Sequence, residues 1–322
     1  MGLDSALNRL NNVYHFKPET SIPDLSGKVI IVTGGNIGIG FQSILQLAPH
    51  NPQKIYLTAR SRAKYDSAMT EIRKTIPTAD AMIRFIEMDL ASLASVKKAA
   101  DQIASDTDHI DVLINNAGVM GMPASLTKDG YEIHFGTNHM GHALLTKLLM
   151  PILLRTAAKT SDVRIINVSS GAYDFGAFDE KLVKTDMTAQ GSNFLPRYGQ
   201  SKLANILHAK GLAKHYPTIT AVAVNPGRVK TGLLDGMYKE GRYKAYAYFQ
   251  SFYDFVVGAL DPPVGAYTQV WAATDPDKEH VKSGVVYNPV GVKDAGNKLT
   301  KDEKLVDKLW DFTESELKGL GY

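Results

Sequence analysis

The chain has 322 residues, of which 44% are hydrophobic and 21% charged, which is enough to build one large core. Its net charge of +3 is spread along the sequence without a long basic run, so no nucleic-acid partner is predicted. Because the chain has no cysteine, disulfides, thiol catalysis and cysteine-bound metals are excluded. No apolar run has the length of a membrane span and no signal peptide is recognisable, so we expect a cytoplasmic protein.

The first predicted strand leads into a glycine-rich turn. Residues 1–24 contain two prolines and are predicted to be an extension ahead of a single domain formed by residues 25–322. Residues 28–32 are apolar and β-branched, which is typical of a buried parallel strand, and a helical pattern covers residues 41–47. A strand, a glycine-rich turn and a helix start in this order indicate a dinucleotide site, with the pyrophosphate at the helix N-terminus. The predicted contacts from this turn are Gly34, Asn36, Ile37, Gly38 and Gly40.

The second strand, at residues 54–58, is followed by cations where NAD sites usually carry an acidic residue. Arg60 lies about 20 residues beyond the last glycine of the turn, and Arg62 and Lys64 follow it. An arginine at this point accommodates the 2′-phosphate of NADP. We therefore predict NADP(H) rather than NAD(H), with contacts from Arg60 and Lys64. The alternative is a solvated loop without a ligand.

Two further strands end in polar or small residues. Residues 82–88 form the third predicted strand and residues 110–114 the fourth. The carboxyl ends of parallel strands form the edge across which a dinucleotide lies. The predicted cofactor contacts at these ends are Asp89, Leu90, Asn115, Ala117 and Gly118.

A tyrosine and a lysine stand four residues apart on a predicted helix that continues to residue 213. At this spacing Tyr198 and Lys202 share one helix face, so the ammonium group is expected to lower the pKa of the phenol toward neutrality. Strands are predicted at 164–168, 220–224 and 283–288, and helices at 137–154 and 304–317.

Several motifs occur together in one order. TGGNIGIG, NNAG, Asn138, the pair Ser169–Ser170 and YGQSK resemble the short-chain dehydrogenase/reductase family, in particular its retinol dehydrogenases and carbonyl reductases, over roughly residues 25–290. The resemblance implies a Rossmann fold of the α/β class, with a doubly wound, seven-stranded parallel sheet flanked by helices. It implies an NADP(H)-dependent oxidoreductase that interconverts a carbonyl group and an alcohol by hydride transfer.

The same resemblance assigns roles to individual residues. Ser170 orients the substrate carbonyl, Tyr198 exchanges its proton, Lys202 holds the ribose and tunes the tyrosine, and Asn138 serves a proton relay. The cofactor contacts that it adds are Tyr198 and Lys202 and, in the turn after the sixth strand, Pro226, Val229 and Thr231.

The substrate region is predicted at about 232–260, where aromatic residues cluster between 238 and 255. Tyr246, Phe249 and Tyr253 share a helical stripe, which indicates either core packing or a pocket lid. We expect a bulky apolar or aromatic substrate. The segment 171–197 is either an inert loop, a pocket wall or a block on an oligomer interface, so a homo-oligomer is left open. No metal site is predicted. The alternative function is a non-catalytic, cofactor-binding sensor or scaffold.

Overall fold

A computed structural model describes residues 15–160, 162–185, 193–230 and 259–322. Its centre is an eight-stranded sheet in the order β3-β2-β1-β4-β5-β6-β7-β8. All neighbouring strands pair in parallel except β7 and β8, which are antiparallel. The strands are β1 Val29–Val32, β2 Lys54–Ala59, β3 Ile83–Glu87, β4 Val112–Asn115, β5 Arg164–Val168, β6 Thr220–Val224, β7 Val286–Asn288 and β8 Val292–Lys293.

Helices cover both faces of this sheet. Alternate side chains of β1 show this, because Val29 and Ile31 pack into one apolar cluster and Ile30 and Val32 into another. Every residue of β1 is fully buried, which is why its sequence is a continuous apolar run. The helices are α1 Pro18–Ser21, α2 Gly38–Leu47, α3 Arg62–Thr75, α4 Ala79–Met82, α5 Leu93–Asp106, α6 Ile133–Phe135, α7 Gly141–Thr160, α8 Phe194–His215, α9 Pro262–Gly265, α10 Tyr267–Thr274 and α11 Glu303–Gly319, with a π-helix at Gly136–Met140 and 3₁₀ turns at Ala48–His50, Gly171–Phe175 and Leu182–Lys184.

The predicted Rossmann fold is confirmed, and all seven predicted parallel strands are present. The eighth strand was not predicted, because two residues are too short to show a pattern. It is joined to β7 by a turn in which Gly291 has φ 71°. Ahead of β1, Phe16 and Ile22 are buried in the core although they belong to the predicted extension, and Phe16 packs edge-on against Tyr267. No helix in the described ranges is long and apolar enough to cross a membrane.

Candidate active site

The strand order reverses between β1 and β4, so the chain leaves these two strands in opposite directions. In doubly wound sheets this point opens a crevice at the carboxyl ends of the strands, where ligands bind. The glycine-rich turn lies here. Gly34 and Gly38 have φ values of 65° and 61°, which side chains rarely tolerate, and α2 starts at Gly38. A Cβ on Gly40 would lie 2.4 Å from Asn116 Nδ2, so the turn packs directly on the end of β4.

Three residues that were not among the predicted contacts hold this turn, namely Thr33, Asn116 and Gln269. The backbone N–H groups of Asn116 and Ala117 both donate to Thr33 Oγ1 at 2.9 Å. Asn116 Nδ2 donates to the Thr33 carbonyl at 2.8 Å, and its Oδ1 accepts from Gln269 Nε2 at 3.1 Å. Gln269 is fully buried on α10 and lies 153 residues from Asn116 in sequence. No local pattern marks it.

The cations after β2 divide into two kinds. Arg62 forms an ion pair with Asp66 at 2.8 Å and lies over the Tyr65 ring. Arg60 and Lys64 are exposed, and neither has an ion-pair partner within the described ranges. Ser61, the N-cap of α3, makes no side-chain cap hydrogen bond. An anion at this helix start would therefore find two uncommitted cations.

The predicted contacts at the ends of β3 and β4 differ in what their side chains do. Asp89 is half-buried and its carboxylate accepts the backbone N–H of Ala91 at 3.1 Å. Leu90 is buried beside Gly141. The side chain of Asn115 donates to Thr146 Oγ1 and to Asn167 Oδ1, so it is directed into the core between strands. A cofactor contact from Asn115 would therefore have to come from its backbone.

Ser170 and Tyr198 lie close together beyond the end of β5. Ser170 caps the 3₁₀ turn at Gly171–Phe175 and its hydroxyl accepts from Ala172 N at 3.2 Å. Tyr198 lies in the first half of α8 and is 4% exposed. Burial raises the pKa of Tyr198 to about 12, although a hydrogen bond with the Ser170 side chain lowers it in part.

The expected lowering of the Tyr198 pKa by Lys202 is wrong for this structure. The Lys202 ammonium donates to the Val168 carbonyl at 3.0 Å, and its nitrogen lies 5.6 Å from the centre of the Tyr198 ring. Burial lowers the pKa of Lys202 itself to about 8. Desolvation therefore decides the direction of the Tyr198 pKa shift, and the hydrogen bond with Ser170 opposes it only in part.

Asn138 lies in the π-helix at Gly136–Met140, a rare element that often marks functional sites. Its Oδ1 accepts from Val119 N at 2.8 Å, and its Nδ2 donates to Val119 O and to Ser201 Oγ. The carbonyl of Asn138 accepts from His142 Nδ1 at 3.0 Å, and His142 Nε2 accepts from Thr33 Oγ1 at 2.9 Å. The side chain of Asn138 is thus occupied by protein partners, and its relay role stays a prediction.

The turn after β6 returns the chain to the same edge. Pro226 is buried, and Val229 forms a parallel bridge with Leu260. Lys230 N donates to Leu260 O at 3.0 Å, which brings together the two ends of the segment between them. Thr231 and the aromatic residues between 238 and 255 lie outside the described residues.

The crevice fits a dinucleotide. Glycines keep the turn open before the helix, and Ile37 beside them is 67% exposed despite its apolar side chain. A Cβ built on Gly118 would lie 3.5 Å from Lys202 Nζ and 3.2 Å from Asn138 Oδ1, so the loop after β4 lies against α8 and the π-helix at this point. Among the residues described, no group of three or more His, Asp or Glu side chains is arranged to hold a metal.

Comparison with known proteins agrees with this geometry. Residues 28–180 match the family model for short chain dehydrogenase. The chain is 36% identical over 315 residues to a short-chain dehydrogenase/reductase of Aspergillus calidoustus, covering 92% of this chain and 96% of that protein. It is 32% identical over 303 residues to retinol dehydrogenase 14 of Mus musculus, covering 90% and 86%.

Solved structures show the same fold. An uncharacterized protein from Mycobacterium paratuberculosis superposes with a TM-score of 0.69 at 25% identity, covering 94% of this chain and 97% of that one. An NADPH-bound carbonyl reductase from chicken fatty liver superposes with a TM-score of 0.61 at 22% identity, covering 84% and 100%. The chain therefore belongs to the short-chain dehydrogenase/reductase family, whose members are oxidoreductases.

Proposed function

We propose that this protein is an NADP(H)-dependent reductase of ketones or aldehydes that carry a bulky apolar or aromatic group. Tyr198 donates the proton, Ser170 fixes the carbonyl oxygen, and Lys202 holds the ribose. The observation that carries the proposal is the pairing of the Tyr198 phenol with the Ser170 hydroxyl in a buried site at the carboxyl end of β5.

The protonation state of Tyr198 favours the reductive direction. Since burial raises its pKa to about 12, the phenol is protonated at neutral pH and is available as an acid. In reduction the carbonyl carbon gains a hydride and the oxygen gains the Tyr198 proton, which yields the alcohol. The bound nicotinamide supplies the hydride. Two hydroxyls directed at one oxygen also stabilise the negative charge that develops on it.

Lys202 is suited to a ribose contact. With a pKa of about 8 it is mostly charged at neutral pH, and an ammonium group has three donors. The Val168 carbonyl takes one of them at 3.0 Å. The others are available to ribose hydroxyls beside Gly118, where the loop after β4 lies against α8.

The preference for NADP(H) rests on Arg60 and Lys64. Both are exposed without an ion-pair partner in the described part of the chain, whereas Arg62 is occupied by Asp66. A 2′-phosphate would neutralise the two free cations at the start of α3 and accept charge-assisted hydrogen bonds from them.

The substrate class rests on the surroundings of Tyr198. Its ring belongs to a small apolar cluster, separate from the main core, that contains Phe194, Met120, Ala172 and Leu195. Such a wall favours a hydrophobic substituent on the carbonyl carbon. Nearby in sequence, Phe175 is 61% exposed at the end of the 3₁₀ turn that Ser170 caps.

The test uses purified protein, NADPH and a panel of ketones and aldehydes that runs from acetone to aryl ketones. We expect NADPH oxidation to be faster with the aryl compounds, and deuterium from 4-deuterated NADPH to appear on the carbinol carbon. Tight NADPH binding without turnover of any member would instead support the non-catalytic sensor.

A further inference from the structure

Three buried side chains next to Tyr198 have no part in the mechanism above. Glu132, His134 and Arg197, here called the Glu132 cluster, are 3%, 0% and 6% exposed. Arg197 directly precedes Tyr198 on α8, and the His134 ring lies edge-on to the Tyr198 ring with 6.1 Å between their centres. The cluster therefore borders the proposed proton donor on two sides.

The carboxylate of Glu132 is the centre of the cluster. Its Oε1 accepts from Arg197 Nη1 at 2.7 Å and from His134 Nδ1 at 2.8 Å, and its Oε2 accepts the backbone N–H groups of His134 and Phe135. Burial alone would raise the pKa of Glu132, but hydrogen bonding to His134 and Arg197 lowers it on balance, so the group is charged at neutral pH. The backbone N–H of Glu132 donates to Val183 in the segment after Ser170.

The two outer members of the cluster both bind the backbone of Met122. Arg197 Nη2 donates to the Met122 carbonyl at 3.0 Å, and the Met122 N–H donates to His134 Nε2 at 3.3 Å. Because a backbone N–H can only donate, Nε2 must be the unprotonated nitrogen of His134. The proton then lies on Nδ1, which is the nitrogen that faces Glu132.

Met122 ends a short segment that lines Tyr198. Val119 at its start is held by the Asn138 side chain, and Met120 packs against Tyr198 and Phe194. The segment is thus fixed at both ends, by Asn138 on the cofactor side and by the Glu132 cluster on the other.

Stability alone is a weak reason for such a cluster. Removing charges from water costs several kcal/mol per ion, and apolar replacements of buried ion pairs are often as stable. Apolar side chains in place of these residues could not make the directional hydrogen bonds to Met122.

We propose that Glu132, His134 and Arg197 are positioning residues that hold the Met120–Met122 segment against Tyr198, and so set the space available to the carbonyl substituent. The proposal rests on the proposed function, since it takes Tyr198 as the proton donor.

The test compares the double variant Glu132→Leu/Arg197→Met with Arg164→Met. Arg164 is a matched control, because it is 3% exposed and binds one carboxylate and two carbonyls at the start of β5, at the opposite end of that strand from Ser170. Hydrogen exchange of the peptide covering residues 119–123 is measured together with Tm, kcat and the KM values for NADPH and for a small and a bulky ketone.

In the double variant we expect exchange at Met122 and kcat/KM for the bulky ketone each to change by about tenfold or more, the size of one lost charge-assisted hydrogen bond. The KM for NADPH should stay within about twofold, and the preference between the two ketones should narrow. Arg164→Met should lower Tm without these effects. Native exchange, or native kcat/KM with an unchanged ketone preference, would overturn the proposal.

If the double variant does not fold, His134→Phe removes the bond to Met122 N while it keeps a ring against Tyr198, and the same results are expected from it. A wild-type protein that reduces no carbonyl would contradict the proposed function. The exchange rate at Met122 would still decide whether the cluster holds this segment.

Discussion

At the scale of single residues, substitutions of Arg60 and Arg62 compare an arginine proposed to bind the 2′-phosphate with a neighbouring one that is not. We expect Arg60→Gln to weaken NADPH binding by roughly ten- to a hundredfold, since a charge-assisted bond to phosphate is worth about 1.5 to 3 kcal/mol, and to leave NADH nearly unaffected. Arg62→Gln should change neither constant by more than about twofold, because its side chain is bonded to Asp66. The measurement is a binding titration of each variant with NADPH and with NADH. Equal losses for NADPH and NADH in Arg60→Gln would show that Arg60 does not discriminate between them.

The role of Tyr198 as the proton donor can be tested by removing its hydroxyl oxygen. Tyr198→Phe should lower turnover by about 10²- to 10⁴-fold, the range for a lost general acid, while NADPH still binds. Tyr287→Phe is the control, since this buried tyrosine on β7 uses its hydroxyl for backbone bonds at His280 and Lys282. It should cost stability and keep turnover. Near-native single-turnover rates in Tyr198→Phe would rule out the phenol as the proton donor.

The charge of Lys202 gives a pH dependence with a definite sign. Burial lowers its pKa to about 8, so the group becomes neutral as the pH rises through this value. If the charged form holds the ribose, kcat/KM for NADPH should fall above about pH 8. In Lys202→Arg, whose guanidinium stays charged, this alkaline decline should be absent even if the rate is lower throughout. A decline at the same pH in both proteins would assign it to another group.

At the scale of elements, α8 packs closely against the turn after Ser170, where Gly199 on α8 faces Gly176 at the end of the turn. A Cβ on Gly199 would lie 2.5 Å from the Ala172 carbonyl and 2.8 Å from Gly176 N. Gly199→Ala should therefore push the 3₁₀ turn away from α8 and shift Ser170 relative to Tyr198. We expect a loss of turnover of at least about tenfold with NADPH affinity unchanged.

The same helix offers the control for this prediction. Gly211, in its second half, packs against Trp310, whose ring lies 2.5 Å from a Cβ built at that position. Gly211→Ala should lower Tm through strain in the core but keep kcat. If both variants lose only stability, or both lose turnover, the packing of Gly199 has no special effect on the site.

At the scale of the whole molecule, three buried histidines make the fold sensitive to acid. Burial lowers the pKa of His142 to about 3 and that of His208 to about 4, and it holds that of His139 well below its ordinary value. Unfolded histidines bind a proton near pH ~6.5. Between these values the unfolded state binds more protons than the folded state, so stability present above about pH 6.5 is lost as the pH falls.

Three such groups give a slope of roughly 4 kcal/mol per pH unit near pH 5. Urea unfolding from pH 7.5 to pH 5 measures this slope. His208→Gln should reduce this slope by about a third, because it removes one of the three titrating groups. The Gln carbonyl can replace Nδ1 as the acceptor for Asn167, so the fold should be kept. An unfolding free energy that does not change over this range would contradict the prediction.

The sequence by itself determined the fold class, the seven parallel strands and the glycine-rich turn, because each depends on a local pattern. A buried parallel strand is usually continuously apolar, and a backbone position with positive φ is most often glycine. The pattern of Val29–Val32 and the glycine at Gly34 can therefore be recognised from the sequence. The spacing of Tyr198 and Lys202 on one helix face is equally local.

Only the tertiary structure decided what depends on burial and on long-range partners. The sign of the Tyr198 pKa shift is one example, since spacing reveals a nearby cation but neither the desolvation of the phenol nor the bond of Lys202 to Val168. The contact of His142 with Thr33, 109 residues away, and that of Arg197 with Glu132, 65 residues away, are others. Such contacts arise when the sheet brings distant strand ends and helices together, and their residues then acquire roles that no neighbouring residue indicates.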